Sequence, residues 1–188
     1  ITRATRVPKT TVQRHVKGTK VPEEFLHQLK TKQGGAKDRA KGLREHCSLA
    51  AENYLGTLTK RDYTLLLIAL YWGEGTKRDF SIINSDPYLL MTVLHSLKLN
   101  GIAQERIFLS LRIHRGISIS LAKQHWSRTL GMVEDRITRI EIIEGKKKGK
   151  LPYGMCRIRV SRGIQDRLLM QSAMALIGKE VAERVLSP

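Results

Sequence analysis

Tyr63-Thr-Leu-Leu-Leu-Ile-Ala-Leu-Tyr-Trp72 is apolar on all sides of a helical turn and runs directly into Gly73-Glu-Gly75. A helix without a polar face belongs in an interior. Its apolar stretch, Leu65 to Gly73, is too short to span a bilayer, so no membrane partner is expected. On the C-terminal side, Phe80–Asn84 reads as a short strand, and Ser85-Asp-Pro87 opens a helix to Leu99. Arg106–His114 alternates strictly, with Ile107, Leu109, Leu111 and Ile113 against Phe108, Ser110, Arg112 and His114. Period two predicts a strand with one buried face. A helix follows over Ser118–Leu130, then strands over Arg136–Ile143 and Met155–Arg162, and a closing helix over Gln165–Val185. In the last two strands Arg139 and Glu141 oppose Ile140 and Ile142, and Arg157, Arg159 and Ser161 oppose Cys156, Ile158 and Val160. The expected fold is α+β, a twisted antiparallel four-stranded sheet packed on helices, with a basic face turned outward. No fixed-period repeat and no long low-complexity tract is present.

On the N-terminal side, Pro8 suits a first helical turn and Gly18 a C-terminal cap. Val12 and Val16 form one apolar stripe, leaving Lys9, Thr10, Gln13, Arg14 and Lys17 on the other faces. This resembles the turn and recognition helix of a helix-turn-helix, whose polar residues reach base edges and phosphates. An ordinary short basic helix is the other reading. Val21–Lys30 forms a further helix, Gln33-Gly-Gly35 is expected to break the chain, and a helix resumes from Ala36 to Leu55. The expected organisation is a helix-turn-helix-like segment at 1–35, a linking helix at 36–60 and the α+β domain at 61–188. That domain is preceded by a small helical N-terminal region.

The charge is lopsided: 34 Lys and Arg face 17 Asp and Glu in 188 residues, a net +17. Residues 1–60 hold 13 of the cations and 5 of the acids, so the excess of +8 there is matched by +9 in the rest. Both halves are thus built to face a polyanion, and nucleic acid is the natural one. Cys47 and Cys156 have no metal-like spacing, which predicts free thiols in a reducing, intracellular setting. No Ser/His/Asp arrangement, phosphate-cradling glycine loop or zinc cluster is legible.

Leu67-Ile-Ala-Leu-Tyr-Trp-Gly-Glu-Gly75 resembles the LAGLIDADG motif of homing endonucleases. Leu67, Ala69, Leu70, Gly73, Glu74 and Gly75 fit its pattern, whereas Trp72 stands where the motif has its first acid. Asn84-Ser-Asp-Pro87 and Leu151-Pro-Tyr-Gly154 extend the likeness to small prokaryotic proteins that join a resolvase-like helix-turn-helix to a single LAGLIDADG-like domain. The resemblance covers residues 61–162 and, loosely, 1–18. It implies a cytoplasmic, nucleoid-associated protein of prokaryotic or phage type that binds and cuts double-stranded DNA as a homodimer.

By the same resemblance, Glu74 with the adjoining Gly73 holds Mg²⁺ or Mn²⁺. A metal suits an acid at a helix C-terminus, where the macrodipole disfavours a bare carboxylate. One motif supplies one acid, so two copies must meet. The small pair Ala69 and Gly73, with Leu65 and Trp72, is the expected dimer contact. Lys148 is the candidate to polarise the catalytic water. Lys9, Thr10, Gln13, Arg14, Lys17, Arg112, His114, Arg139, Lys146, Lys147, Arg157 and Arg159 are the candidate DNA contacts; a solvated hairpin tip is the other reading of the lysines. Asp62 and Asp79, which flank the motif, read as surface acids. A non-cleaving DNA-binding transcription regulator on the same fold is the alternative function.

Overall fold

The computed structural model describes residues 2–20, 22–76, 78–144 and 151–186, with side chains from Ala4 onward except at 29–36. The chain forms two compact units, 1–57 and 58–188.

The first unit is helical. A four-residue helix α1 (Thr2–Thr5) is followed by Arg6 in the left-handed region at φ 55° and by Pro8, which caps α2 (Lys9–Val16). Lys9, Thr10, Gln13, Arg14 and Lys17 are all exposed, and no residue of α2 is buried. Helix α3 then runs without interruption from Glu23 to Leu55. The expected break at Gln33–Gly35 does not occur, and neither does a boundary at residue 35. Glycine weakens a helix by about 0.5–1 kcal/mol but keeps its N–H, so the hydrogen-bond ladder passes through. The break comes at Gly56, in the left-handed region.

The second unit runs α4 (Lys60–Glu74), β1 (Ser81–Asn84), α5 (Pro87–Leu99), β2 (Ile107–His114), α6 (Ile119–Leu130), β3 (Ile137–Ile143), β4 (Met155–Val160) and α7 (Ile164–Leu186). Local chemistry sets the helix starts. Thr59 and Asp62 form a reciprocal capping box on α4, with the Thr59 N–H donating to Asp62 at 2.8 Å. Those bonds lower the Asp62 pKa, so this acid is a cap. Asp86 accepts from the Tyr88 N–H at 2.8 Å to start α5, and Ser118 accepts from the Leu121 N–H at 3.3 Å to start α6.

The four strands lie in the order β1-β4-β2-β3. β4 is antiparallel to β1 and to β2, but β2 and β3 are parallel. The sheet is therefore mixed, and the expectation of an all-antiparallel sheet is corrected. Helix α6 joins β2 to β3 and returns the chain to the end where β2 began, which only parallel pairing accommodates. Side-chain alternation reports which face a residue takes and says nothing of strand direction.

One sheet face carries the core. Ile82, Ile107, Leu109, Leu111, Ile113, Ile158 and Val160 pack with Leu67, Ile68 and Tyr71 of α4, with α5, and with Trp126 of α6. Helix α4 is only half buried, contrary to the expectation of a wholly buried helix. Leu65, Leu66 and Trp72 are 42, 38 and 54% exposed. No described helix is long and apolar enough to cross a membrane.

Candidate nucleic-acid interface

The second face of the sheet is open, and the strand register assigns its residues to rows. Arg159 of β4 lies between Ser81 of β1 and Phe108 of β2. In the next row Arg157 lies between Ile83 and Ser110, and Ser110 in turn faces Arg139 of β3. Arg112 stands opposite Met155 and Glu141 in the row after that.

Arg139 reaches this face through an irregularity. Leu109 pairs with Ile137, but Ser110 pairs with Arg139, so Thr138 is passed over. Ile137 is in the core, and strict alternation from it would turn Arg139 inward. One extra residue in β3 moves Arg139 to the open face beside Arg157. Arg139, Arg157 and Arg159 then line a groove of about 260 Å³, floored by Phe108 and Ser110 and closed by Thr138 and Ser161. Arg136 lies over the Phe108 ring, 5.4 Å from its centre.

Two other candidates on β2 behave differently. Arg112 donates from Nε to Glu141 at 3.0 Å, so its charge is met within the sheet. His114 is 7% exposed and its Nδ1 has no hydrogen-bond partner. It does not lie open to a ligand, although alternation alone places it with Arg112. Lys146, Lys147 and Lys148 lie outside the described residues.

Beside Arg159 a second concavity of about 350 Å³ opens at the start of α7, lined by Arg78, Asp79, Arg159, Arg162 and Arg167 among others. Three of these arginines escaped the sequence reading because they sit in a loop, a turn and a helix, where no shared periodicity links them. Asp79 is more than a surface acid. It accepts hydrogen bonds from the hydroxyls of Ser81, at 2.7 Å, and Thr76. Burial raises its carboxyl, but those two bonds and the positive Arg157 and Arg159 prevail and hold it below the ordinary range. It is thus a fixed anion behind the arginine row.

The motif end is well defined. The Tyr71 hydroxyl donates to the Thr76 carbonyl at 2.6 Å and clamps the loop that follows α4. A Cβ at Gly75 would fall 2.3 Å from the Tyr71 carbonyl and ring, so only glycine fits there. Gly73 faces open space and lies with exposed Leu65 and Ala69 on one side of α4, where half-exposed Trp72 also stands, its ring beside Gly178 of α7. Glu74 is exposed at the end of that helix. Among the described residues no three His, Cys, Asp or Glu side chains are grouped to hold a metal ion. A lone exposed carboxylate is a poor Mg²⁺ site without further oxygen donors, so the described residues of a single chain do not fit the metal. Both described cysteines are free, with Cys47 exposed and Cys156 buried. No family model, characterised protein or solved structure matches the chain.

Proposed function

We propose that this protein binds double-stranded DNA on the open face of its sheet. The observation that carries the reading is the alignment of Arg139, Arg157 and Arg159 along one groove on the face without helices. A β-surface of this kind fits a major groove or its phosphates. The cleft of Arg78, Arg162 and Arg167 continues the same basic surface toward α7. In the first unit, α2 presents Lys9, Gln13, Arg14 and Lys17 as a second contact of the recognition-helix kind.

The homodimer belongs to this proposal, with Leu65, Ala69, Trp72 and Gly73 as the contact. Two copies meeting there would set two Glu74 carboxylates at the ends of paired helices, the arrangement that a LAGLIDADG-type, Mg²⁺-dependent endonuclease requires. No cleavage step is assigned to one chain, among whose described residues no three donor side chains group to hold a metal ion. The exposed, single Glu74 equally supports the second reading, a non-cleaving transcription regulator.

A supercoiled-plasmid assay with Mg²⁺, and again with EDTA, separates the two. The endonuclease reading expects nicking by the wild type with Mg²⁺ and loss by orders of magnitude in Glu74→Gln. The regulator reading expects a gel shift and no nicking from either protein. Failure to shift any duplex at moderate salt would remove both.

A further inference from the structure

Helix α3 is 33 residues long, and every one of its described side chains is exposed. A helix of that length normally owes its stability to an apolar stripe covered by something else. The stripe is present, and the continuity of the helix through Gly34-Gly35 brings its two ends into phase. Leu26 lies two heptads before Ala40, so Leu26, Ala40, Cys47 and Tyr54 share one heptad position, and Leu43 and Ala50 occupy the alternate one. This three-and-four spacing is the seam of a two-stranded coiled coil. Leu43 and Tyr54 on that seam are 64 and 90% exposed.

Over residues 37–52 the charges are sorted around it, whereas Glu23 stands on the flank at the other end. Lys37, Arg39, Arg44 and His46 flank the seam, while Asp38, Glu45 and Glu52 fall on the opposite side. On that far side Glu45 pairs with Lys41 at 3.8 Å. Lys37, Arg39 and Arg44 have no ion pair among the described residues.

We infer that α3 docks an acidic amphipathic helix of another protein, seam to seam, with carboxylates of that helix beside Lys37, Arg39 and Arg44. The seam is shallow at Ala40, Cys47 and Ala50, which suits large aliphatic residues on the incoming helix. A second copy of this chain is the wrong occupant. In parallel pairing Arg39 would face Arg44, and in antiparallel pairing the flanks would again be cation against cation. Duplex DNA is disfavoured as well, because phosphates would neutralise the flanks and leave Leu43 and Tyr54 in water. The inference does not depend on the DNA-binding reading of the sheet.

The test uses the full chain and three labelled synthetic helices of four heptads. One has Leu on its seam and Glu on its flanks, one has Leu and Lys, and one has Ser and Glu. The Leu/Glu helix should bind about tenfold more tightly than either control in fluorescence anisotropy. Its own flanking repulsion keeps it monomeric. In the triple variant Lys37→Glu, Arg39→Glu, Arg44→Glu the preference should invert to the Leu/Lys helix, a gain of binding that an unfolded chain cannot give. Equal binding of the Ser/Glu helix would mean bulk charge alone and overturn the proposal. So would self-association in sedimentation that Leu43→Asp abolishes, which identifies a second copy. A triple variant that weakens duplex DNA and leaves the Leu/Glu helix bound as before would make the face a nucleic-acid contact, and the proposal would fall.

Discussion

Replacing Arg157 and Arg159 with Ala isolates the arginine row. Both project from β4 onto the open face, while Cys156, Ile158 and Val160 point the other way and are buried. The core is untouched, so each change should cost no more than about 0.5 kcal/mol of stability. If each arginine neutralises one phosphate, each releases about 0.9 of a counterion on duplex binding. The slope of log affinity against log salt should then fall by about 1.8. Between 50 and 200 mM salt the ratio of wild-type to variant affinity should shrink about twelvefold. Fluorescence anisotropy with a labelled duplex measures this, and circular dichroism checks the fold. Arg112→Ala is the internal contrast: its guanidinium already meets Glu141, so the slope should change by less than for Arg157 or Arg159. A double variant that stays folded and keeps the wild-type slope would show that the duplex does not lie on this face. An equal effect from Arg112 would show that only total charge matters.

Three further outcomes follow from the geometry. A Cβ at Gly73 meets nothing within 4 Å, so Gly73→Leu should leave secondary structure intact and shift the protein toward monomer in sedimentation; a monomeric wild type on DNA would remove the α4 contact. Gly75→Ala places a Cβ 2.3 Å from Tyr71 and should cost about 1–3 kcal/mol, seen as a lower urea midpoint; an unchanged midpoint would contradict the close packing of the motif end. His125, stacked on Tyr153 with ring centres 3.9 Å apart, is held by burial below its ordinary pKa of 6.5, so the unfolded chain takes up its proton first on acidification. Stability should therefore fall as the pH drops below about 6.5, more than in His125→Phe; parallel urea midpoints of the two proteins at pH 7.5 and 5 would refute the assignment.

Much of the scaffold is written in local chemistry. Asp86-Pro87 and Ser118 announce helix starts because a short polar side chain accepts the first free N–H groups, and that signal needs no tertiary partner. The alternation in β2 and β4 likewise separates core from surface wherever a strand is regular. It misleads at His114, which alternation turns outward with Arg112 and the fold buries. Arg139 shows the opposite case: its place beside Arg157 depends on Thr138 being skipped in the pairing with β2, and a skip is a property of two strands together.

The sequence by itself determined the element order from residue 60 onward, the basic balance of both halves and the apolar positions of the strands. Each rests on short-range spacing or on composition. Only the tertiary structure decided that the sheet is mixed, because strand direction follows from where α6 returns the chain. It alone decided that α4 has an uncovered side, since an all-apolar helix looks the same whether one face or both are packed. It also joined Arg78, Arg159, Arg162 and Arg167 in one cleft, since residues so far apart in the chain meet only when a loop, a strand and a helix converge. The continuity of α3 belongs with these: two glycines make a break plausible, and the intact backbone ladder through them brings Leu26 into phase with Tyr54.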